Sequence, residues 1–226
     1  MPGIFSMLRN MTRGHKFDPA KMNRLNDPQR FDELPPELLW RELVPGDAGG
    51  KDGEAAGSAT RDTTNGHRPD LVLVDLGAGT GVFAREFLKR LGPGGRVYAC
   101  DVSDVMIDYM EQEIPAEDRR KLMPLRSEES ALPLEDESVD ALYTINVYHE
   151  LESATAMLSE VYRVLRPGGR FMVVDWSPEG SESGPPKEHR VPSQVIEDEV
   201  SDAGFQNSRW ISELPQHQFL AADKPR

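Results

Sequence analysis

The tightest constraint on this chain is an apolar run that ends in glycines and passes straight into helical periodicity. Residues 71–76 are apolar except for Asp75, Gly77-Ala78-Gly79-Thr80-Gly81 follows, and Val82, Phe83, Phe87, Leu88 and Leu91 then recur at helical spacing until Gly92-Pro93. A short apolar run bounded by turn residues suits a buried strand, and the change of period marks a helix packed back on it. The predicted unit is strand, tight turn, helix.

The same alternation continues to the end of the chain. Residues 96–100 read as a second strand, followed by a helix around 105–110 that Ser103 can cap. Residues 139–145 read as a central strand. Residues 153–166 form a helix with Met157, Leu158, Val161 and Leu165 on one face, closed by Pro167-Gly168-Gly169, and residues 171–174 are the next strand. A last helix over 193–203 stops at Gly204, and 205–211 and 216–221 form a terminal strand pair around Leu214-Pro215. Strands alternating with amphipathic helices imply the α/β class, here a Rossmann-like doubly wound, mostly parallel sheet with a C-terminal strand pair.

Ahead of Asp70 the composition changes twice. Residues 1–45 hold Phe17, Met22, Leu25, Phe31, Leu34, Leu38, Leu39 and Leu43, interrupted by Pro19, Pro28, Pro35 and Pro36, which predicts an N-terminal helical cap of short helices joined by turns. Residues 46–69 contain no large apolar side chain, so they cannot bury enough surface to offset chain entropy, and they read as a flexible linker. Gly46-Asp47-Ala48-Gly49-Gly50-Lys51 lacks the spacing of a phosphate loop and the Ser or Thr that should follow its Lys. The domain proper runs over 70–226.

Charge and cysteine usage narrow the partners. A formal charge of −13 with no Lys/Arg-rich run repels nucleic acid and points to a small-molecule substrate. A lone Cys100 leaves no intramolecular disulfide and suits a reducing, cytoplasmic compartment. The apolar residues 4–8 are too few for a signal segment, and no later run reaches membrane-spanning length. The five His are scattered, and His149-Glu150 lacks the second His of a zinc-protease helix, so no metal site is expected.

The chemistry concentrates at the glycine turn. Glycines let a ligand approach the backbone, and the start of the next helix offers unpaired N–H groups to a carboxylate or phosphate. A dinucleotide fingerprint would place its third glycine at Val82, so the spacing is G-x-G-x-G and an NAD-dependent oxidoreductase is the runner-up reading. Asp101 ends the second strand 24 residues after Gly77, where a carboxylate can accept from both hydroxyls of a ribose.

Four motifs then occur in order: Val74-Asp75-Leu76-Gly77-Ala78-Gly79-Thr80-Gly81, Asp101-Val102-Ser103 with Met106, Ala131-Leu132-Pro133-Leu134-Glu135-Asp136-Glu137-Ser138-Val139-Asp140, and Leu165-Arg166-Pro167-Gly168-Gly169-Arg170. Together they resemble the class I S-adenosylmethionine-dependent methyltransferases of the methyltransferase type 11 domain, especially the branch holding the ubiquinone/menaquinone C-methyltransferases. The resemblance implies S-adenosylmethionine as cofactor and methyl transfer to a small-molecule acceptor. It implies that Asp75, Gly77, Ala78, Gly79 and Gly81 hold the methionine moiety, Asp101 the ribose, and Val102 and Met106 the adenine faces. Glu128 stands where such enzymes carry an acid that accepts from the adenine amino group, and Asn146 completes the cofactor set.

The acceptor pocket is expected beyond the strand ends, from Asn146-Val147-Tyr148-His149-Glu150, from Asp175-Trp176, from residues 184–190 and from the N-terminal cap. His149 is the candidate general base there, with Tyr148, Trp176 and His189 as candidate substrate contacts; a packed structural role is the competing reading for each. A protein that binds the cofactor without turning it over is the other class left open.

Overall fold

The computed structural model describes residues 14–46, 69–180 and 183–226. The stretch read as a flexible linker therefore lies outside the described residues except at its ends, as do residues 4–8.

Seven strands form one sheet in the order β3-β2-β1-β4-β5-β7-β6. They are β1 (Val72–Leu76), β2 (Arg96–Asp101), β3 (Leu122–Arg126), β4 (Val139–Ile145), β5 (Leu165–Trp176), β6 (Gln206–Trp210) and β7 (His217–Asp223). The first five run parallel, β7 runs antiparallel to β5, and β6 antiparallel to β7, which is the anticipated terminal pair. The order reverses between β1 and β4, so a crevice opens above their carboxyl ends, where open α/β sheets hold ligands.

Helices cover both faces. A 3-10 segment (Pro19–Asn26), α1 (Arg30–Glu33), α2 (Pro36–Leu43), α3 (Val82–Leu88) and α4 (Asp104–Glu113) precede the midpoint; α5 (Ala154–Val164) and α6 (Ser193–Asp202) follow. The cap shares the domain's core: Leu34, Leu39, Trp40 and Leu43 are buried in one cluster with Phe83, Phe87 and Tyr143. Trp40 meets Phe87 at 5.7 Å, and Phe87 meets Tyr143 edge-on at 4.9 Å. Burying four such side chains is worth roughly 1.5–3 kcal/mol each, which fixes the cap on the sheet. On the opposite face α5 and α6 bury Met157, Leu158, Val161, Val195 and Ile196.

Three elements differ from the sequence pattern. Strand β3 was not anticipated because Pro124 interrupts it; at the sheet edge a missing N–H is tolerated. Helix α5 ends at Val164 and β5 begins at Leu165, because Arg166 precedes Pro167 and is held in extended conformation. Ser103 occupies the cap position of α4, but its side chain makes no capping bond.

Candidate cofactor site

The glycine turn is bent over the end of β2. The amides of Gly77 and Ala78 both donate to the Cys100 carbonyl, at 2.8 and 2.9 Å. Gly77 has φ +74°, and a Cβ there would lie 2.5 Å from the γ-methyls of Val147. Gly79 has φ +56°, and its Cβ would meet Leu25 of the cap at 2.8 Å. Both positions combine a left-handed backbone with a neighbour against the missing side chain, so no other residue fits without movement.

Asp101 locks the turn to the second strand. Its Oδ2 accepts from the Gly79 amide at 2.8 Å and its Oδ1 from the Ser103 amide at 2.9 Å. Burial raises its carboxyl above the ordinary value, against the pull of those amides. Asp75 is pushed up to about 7, chiefly by burial and further by the Asp101 charge, while Tyr143 and Arg30 oppose the rise.

Above the turn lies a cavity of about 330 Å³, within the range of small-molecule sites. Asp75, Gly77, Ala78 and Gly79 line one wall, Asp101, Val102 and Met106 a second, and Asn146, Val147 and Glu150 a third. The cap closes the mouth with Lys16, Phe17, Leu25 and Arg30. It is fastened by the Phe17 amide on Glu150 Oε2 at 3.0 Å, by Asn26 on the Tyr109 hydroxyl at 2.8 Å, and by a Lys16–Glu129 ion pair. Arg30 lies over the Phe83 ring at 5.2 Å and donates to the Leu25 carbonyl at 2.8 Å.

Two observations show what fits this space. Ser127 Oγ and Asn146 Oδ1 both belong to lining residues, are buried and have no hydrogen-bond partner; buried polar atoms are ordinarily paired, so these suit a ligand rich in donors. The lining carries four carboxylates, Asp75, Asp101, Glu129 and Glu150, against two cations, Lys16 and Arg30. Such a field repels a pyrophosphate and favours a cation. An adenosyl sulfonium with ribose hydroxyls and an α-ammonium meets both conditions.

The structure brings Asp75, Gly77, Ala78, Gly79, Asp101, Val102, Met106 and Asn146 to one cavity, with Gly81 behind them at the start of α3. Glu128 is not among the lining residues. It is exposed, with its backbone bridged to Ala131, while Ser127 and Glu129 on either side face the cavity; alternation along extended backbone turns it outward. His149 also lies outside the lining. Its Nδ1 is 2.7 Å from Asp175 Oδ1, its amide donates to Asp175 Oδ2 at 2.8 Å, and the ring is 6% exposed. Tyr148 is buried against α5 and α6 and donates to Glu199. Trp176 has His217 at 4.4 Å, and a Cβ on Gly184 would fall 2.5 Å from its ring. His189 sits beside His15 at 5.1 Å. None of these three lines the cavity: Tyr148 packs under α5 and α6, and Trp176 on β5 lies against His217 and beneath Gly184. Glu150 and the cap fall in regions expected to line the acceptor pocket, and both reach the cavity; Ser127 and the individual cap residues Lys16, Phe17, Leu25 and Arg30 were not singled out, because their part in the site depends on distant segments folding together.

Burial opposes charge on His149, yet the Asp175 carboxylate and its hydrogen bond outweigh it, with Glu150 adding, so the imidazole pKa is raised from 6.5. A raised value means that the pairing contributes fully below the unfolded pKa and is lost as pH climbs through the folded one. His149→Gln is expected to cost about 1–3 kcal/mol at pH 6, and thermal melts should show that gap narrowing toward pH 9. A gap that widens with pH would contradict this pairing.

Comparison with known proteins agrees with this geometry. Residues 74–173 match the family described as "Methyltransferase domain". The chain is 32% identical over 111 residues to the ubiquinone/menaquinone biosynthesis C-methyltransferase of Bordetella avium, covering 49% of this chain and 43% of that protein. It is 30% identical over 154 residues to an uncharacterized methyltransferase-like protein of Schizosaccharomyces pombe, covering 66% and 54%. The chain spans roughly two fifths of the length of the first curated relatives it matches, 43%, 36% and 42%. A crystal structure of a SAM-dependent methyltransferase from Aquifex aeolicus superimposes with a TM-score of 0.78 at 26% identity, covering 92% of this chain and all of that one. By the sheet order, the glycine turn and these likenesses, residues 74–173 form a methyltransferase domain similar to those of the class I S-adenosylmethionine-dependent methyltransferases.

Proposed function

We propose that this protein binds S-adenosylmethionine in the cavity above β1 and β4 and catalyses transfer of its methyl group to a small-molecule acceptor. The observation that carries this reading is the convergence, in a net acidic cavity, of Asp101 clasped by the Gly79 and Ser103 amides with the unpaired Ser127 and Asn146 oxygens. The bound cofactor supplies an electrophilic methyl group. Asp101 accepts from the ribose hydroxyls, Val102 and Met106 flank the adenine, and Asp75 with the glycine turn receives the α-ammonium end. Arg30, close enough to Asp75 to oppose its pKa rise, pairs with the α-carboxylate. The cap excludes water from the reacting centre, so positioning supplies most of the rate enhancement.

The charge of −13 favours a small acceptor over nucleic acid, and the buried lone Cys100 favours a reducing cytoplasm. No helix among the described residues is long and apolar enough to cross a membrane. The names of the matched relatives include a ubiquinone/menaquinone biosynthesis C-methyltransferase and a malonyl-[acyl-carrier protein] O-methyltransferase, and the fold by itself does not choose among oxygen, nitrogen, sulfur and carbon acceptors.

Calorimetry with S-adenosylmethionine, S-adenosylhomocysteine and NADH tests the binding, and labelled methyl incorporation into fractionated metabolites tests the transfer. Both adenosyl compounds should bind and NADH should not, and Arg30→Gln should weaken both about tenfold through loss of a charge-assisted contact. Binding of NADH alone would replace this reading with the oxidoreductase. Tight adenosyl binding with no labelled product would leave a cofactor-binding protein.

A further inference from the structure

Of the four carboxylates on the cavity wall, three are already committed. Asp101 has both oxygens on backbone amides, Glu129 is paired with Lys16, and Asp75 lies at the foot of the turn beside Tyr143. Glu150 is placed differently. It stands past the end of β4, four residues after Asn146, with Oε2 accepting from the Phe17 amide and Oε1 on the side of His149. His149 Nε2 is 3.7 Å from that Oε1, and its Nδ1 is held by Asp175. A carboxylate, an imidazole and a second carboxylate are thus arrayed from the cavity wall into the interior. The imidazole does not reach the cavity, but Glu150 does.

Resting on the methyltransferase reading, we propose that Glu150 is the catalytic base: its carboxylate, on the cavity wall, takes the proton that the acceptor loses, with His149 and Asp175 as positioning residues behind it. The acceptor lone pair forms the new bond to the methyl carbon while the bonding pair of the broken C–S bond stays on sulfur. The acceptor proton passes to Glu150 Oε1, so charge and atoms balance without a further reactant. Burial raises the Glu150 carboxyl toward proton uptake, and the Asp175 and Asp101 charges add to this; the Phe17 amide and His149 oppose it. An acidic wall of this kind selects an acceptor that is neutral or cationic and carries a removable proton, such as a hydroxyl or an amine, over an anionic one.

Sinefungin carries an amine in place of the methylsulfonium group, whereas S-adenosylhomocysteine has nothing there, so the pair isolates a carboxylate facing that position. Glu150→Gln should weaken sinefungin about tenfold relative to S-adenosylhomocysteine, with S-adenosylhomocysteine affinity and melting temperature close to wild type, and Glu150→Asp should fall between. In the metabolite-labelling assay the same Gln variant should lose about a hundredfold in rate at saturating cofactor. Equal weakening of both analogues, or unchanged discrimination between them, would overturn the proposal and leave Glu150 as a clasp for Phe17. Failure of wild type to bind either analogue would instead overturn the methyltransferase reading on which it rests.

Discussion

Asp101→Ala should raise the dissociation constants of S-adenosylmethionine and S-adenosylhomocysteine about a hundredfold, equivalent to about 2–3 kcal/mol, because the substitution removes the two charge-assisted hydrogen bonds proposed between this carboxylate and the ribose. The same carboxylate holds the Gly79 and Ser103 amides, so the substitution also leaves two backbone donors unpaired and lowers the melting temperature. Asp101→Asn separates the effects, since its amide oxygen can keep one backbone partner while the charge is gone. Calorimetry on both variants at one pH decides the matter. An Ala variant with wild-type affinity would remove Asp101 from cofactor binding and confine it to the turn.

Gly77→Ala is expected to be strongly destabilising. The left-handed backbone at φ +74° costs an Ala roughly 1–2 kcal/mol, and pressing its Cβ to 2.5 Å from the Val147 methyls adds an overpacking strain of about 1–3 kcal/mol. The sum, about 2–5 kcal/mol, should depress the melting temperature on the order of 10 °C in a domain of this size. Val147→Ala removes the two γ-methyls and so should restore part of the loss only in the Gly77→Ala background, a coupling of more than about 0.5 kcal/mol in a double-mutant cycle. Purely additive effects would show that the cost is all backbone and that the close approach to Val147 relaxes freely.

The parts of the fold that were legible share one property: their signals are local. Apolar runs of strand length, helical spacing after the glycine turn and the Gly204 stop placed six of the seven strands and the major helices to within about three residues, apart from β5, which begins six residues earlier than expected. Strand β3 escaped because Pro124 masks a strand that only its edge position makes acceptable. Likewise, periodicity carried α5 through Leu165, whereas pairing of β5 with β4 from Leu165 onward claimed that residue for the sheet.

The site divides along the same line. Gly77, Gly79 and Asp101 could be read from sequence because the turn's geometry and the spacing to the next strand end are set within 25 residues of chain, by which glycines can adopt left-handed backbone and by where a parallel neighbour must end. His149 and Glu150 are adjacent in sequence, and the spacing singled out His149 as the base; only the packing of β5 beside β4 puts Asp175 under the imidazole and leaves the neighbouring carboxylate on the cavity wall. The cap residues Phe17, Leu25 and Arg30 carry no motif at all. They reach the site because Leu34, Leu39, Trp40 and Leu43 anchor the cap in the core against α3, and the burial of those side chains depends on surfaces that exist only once the sheet has formed.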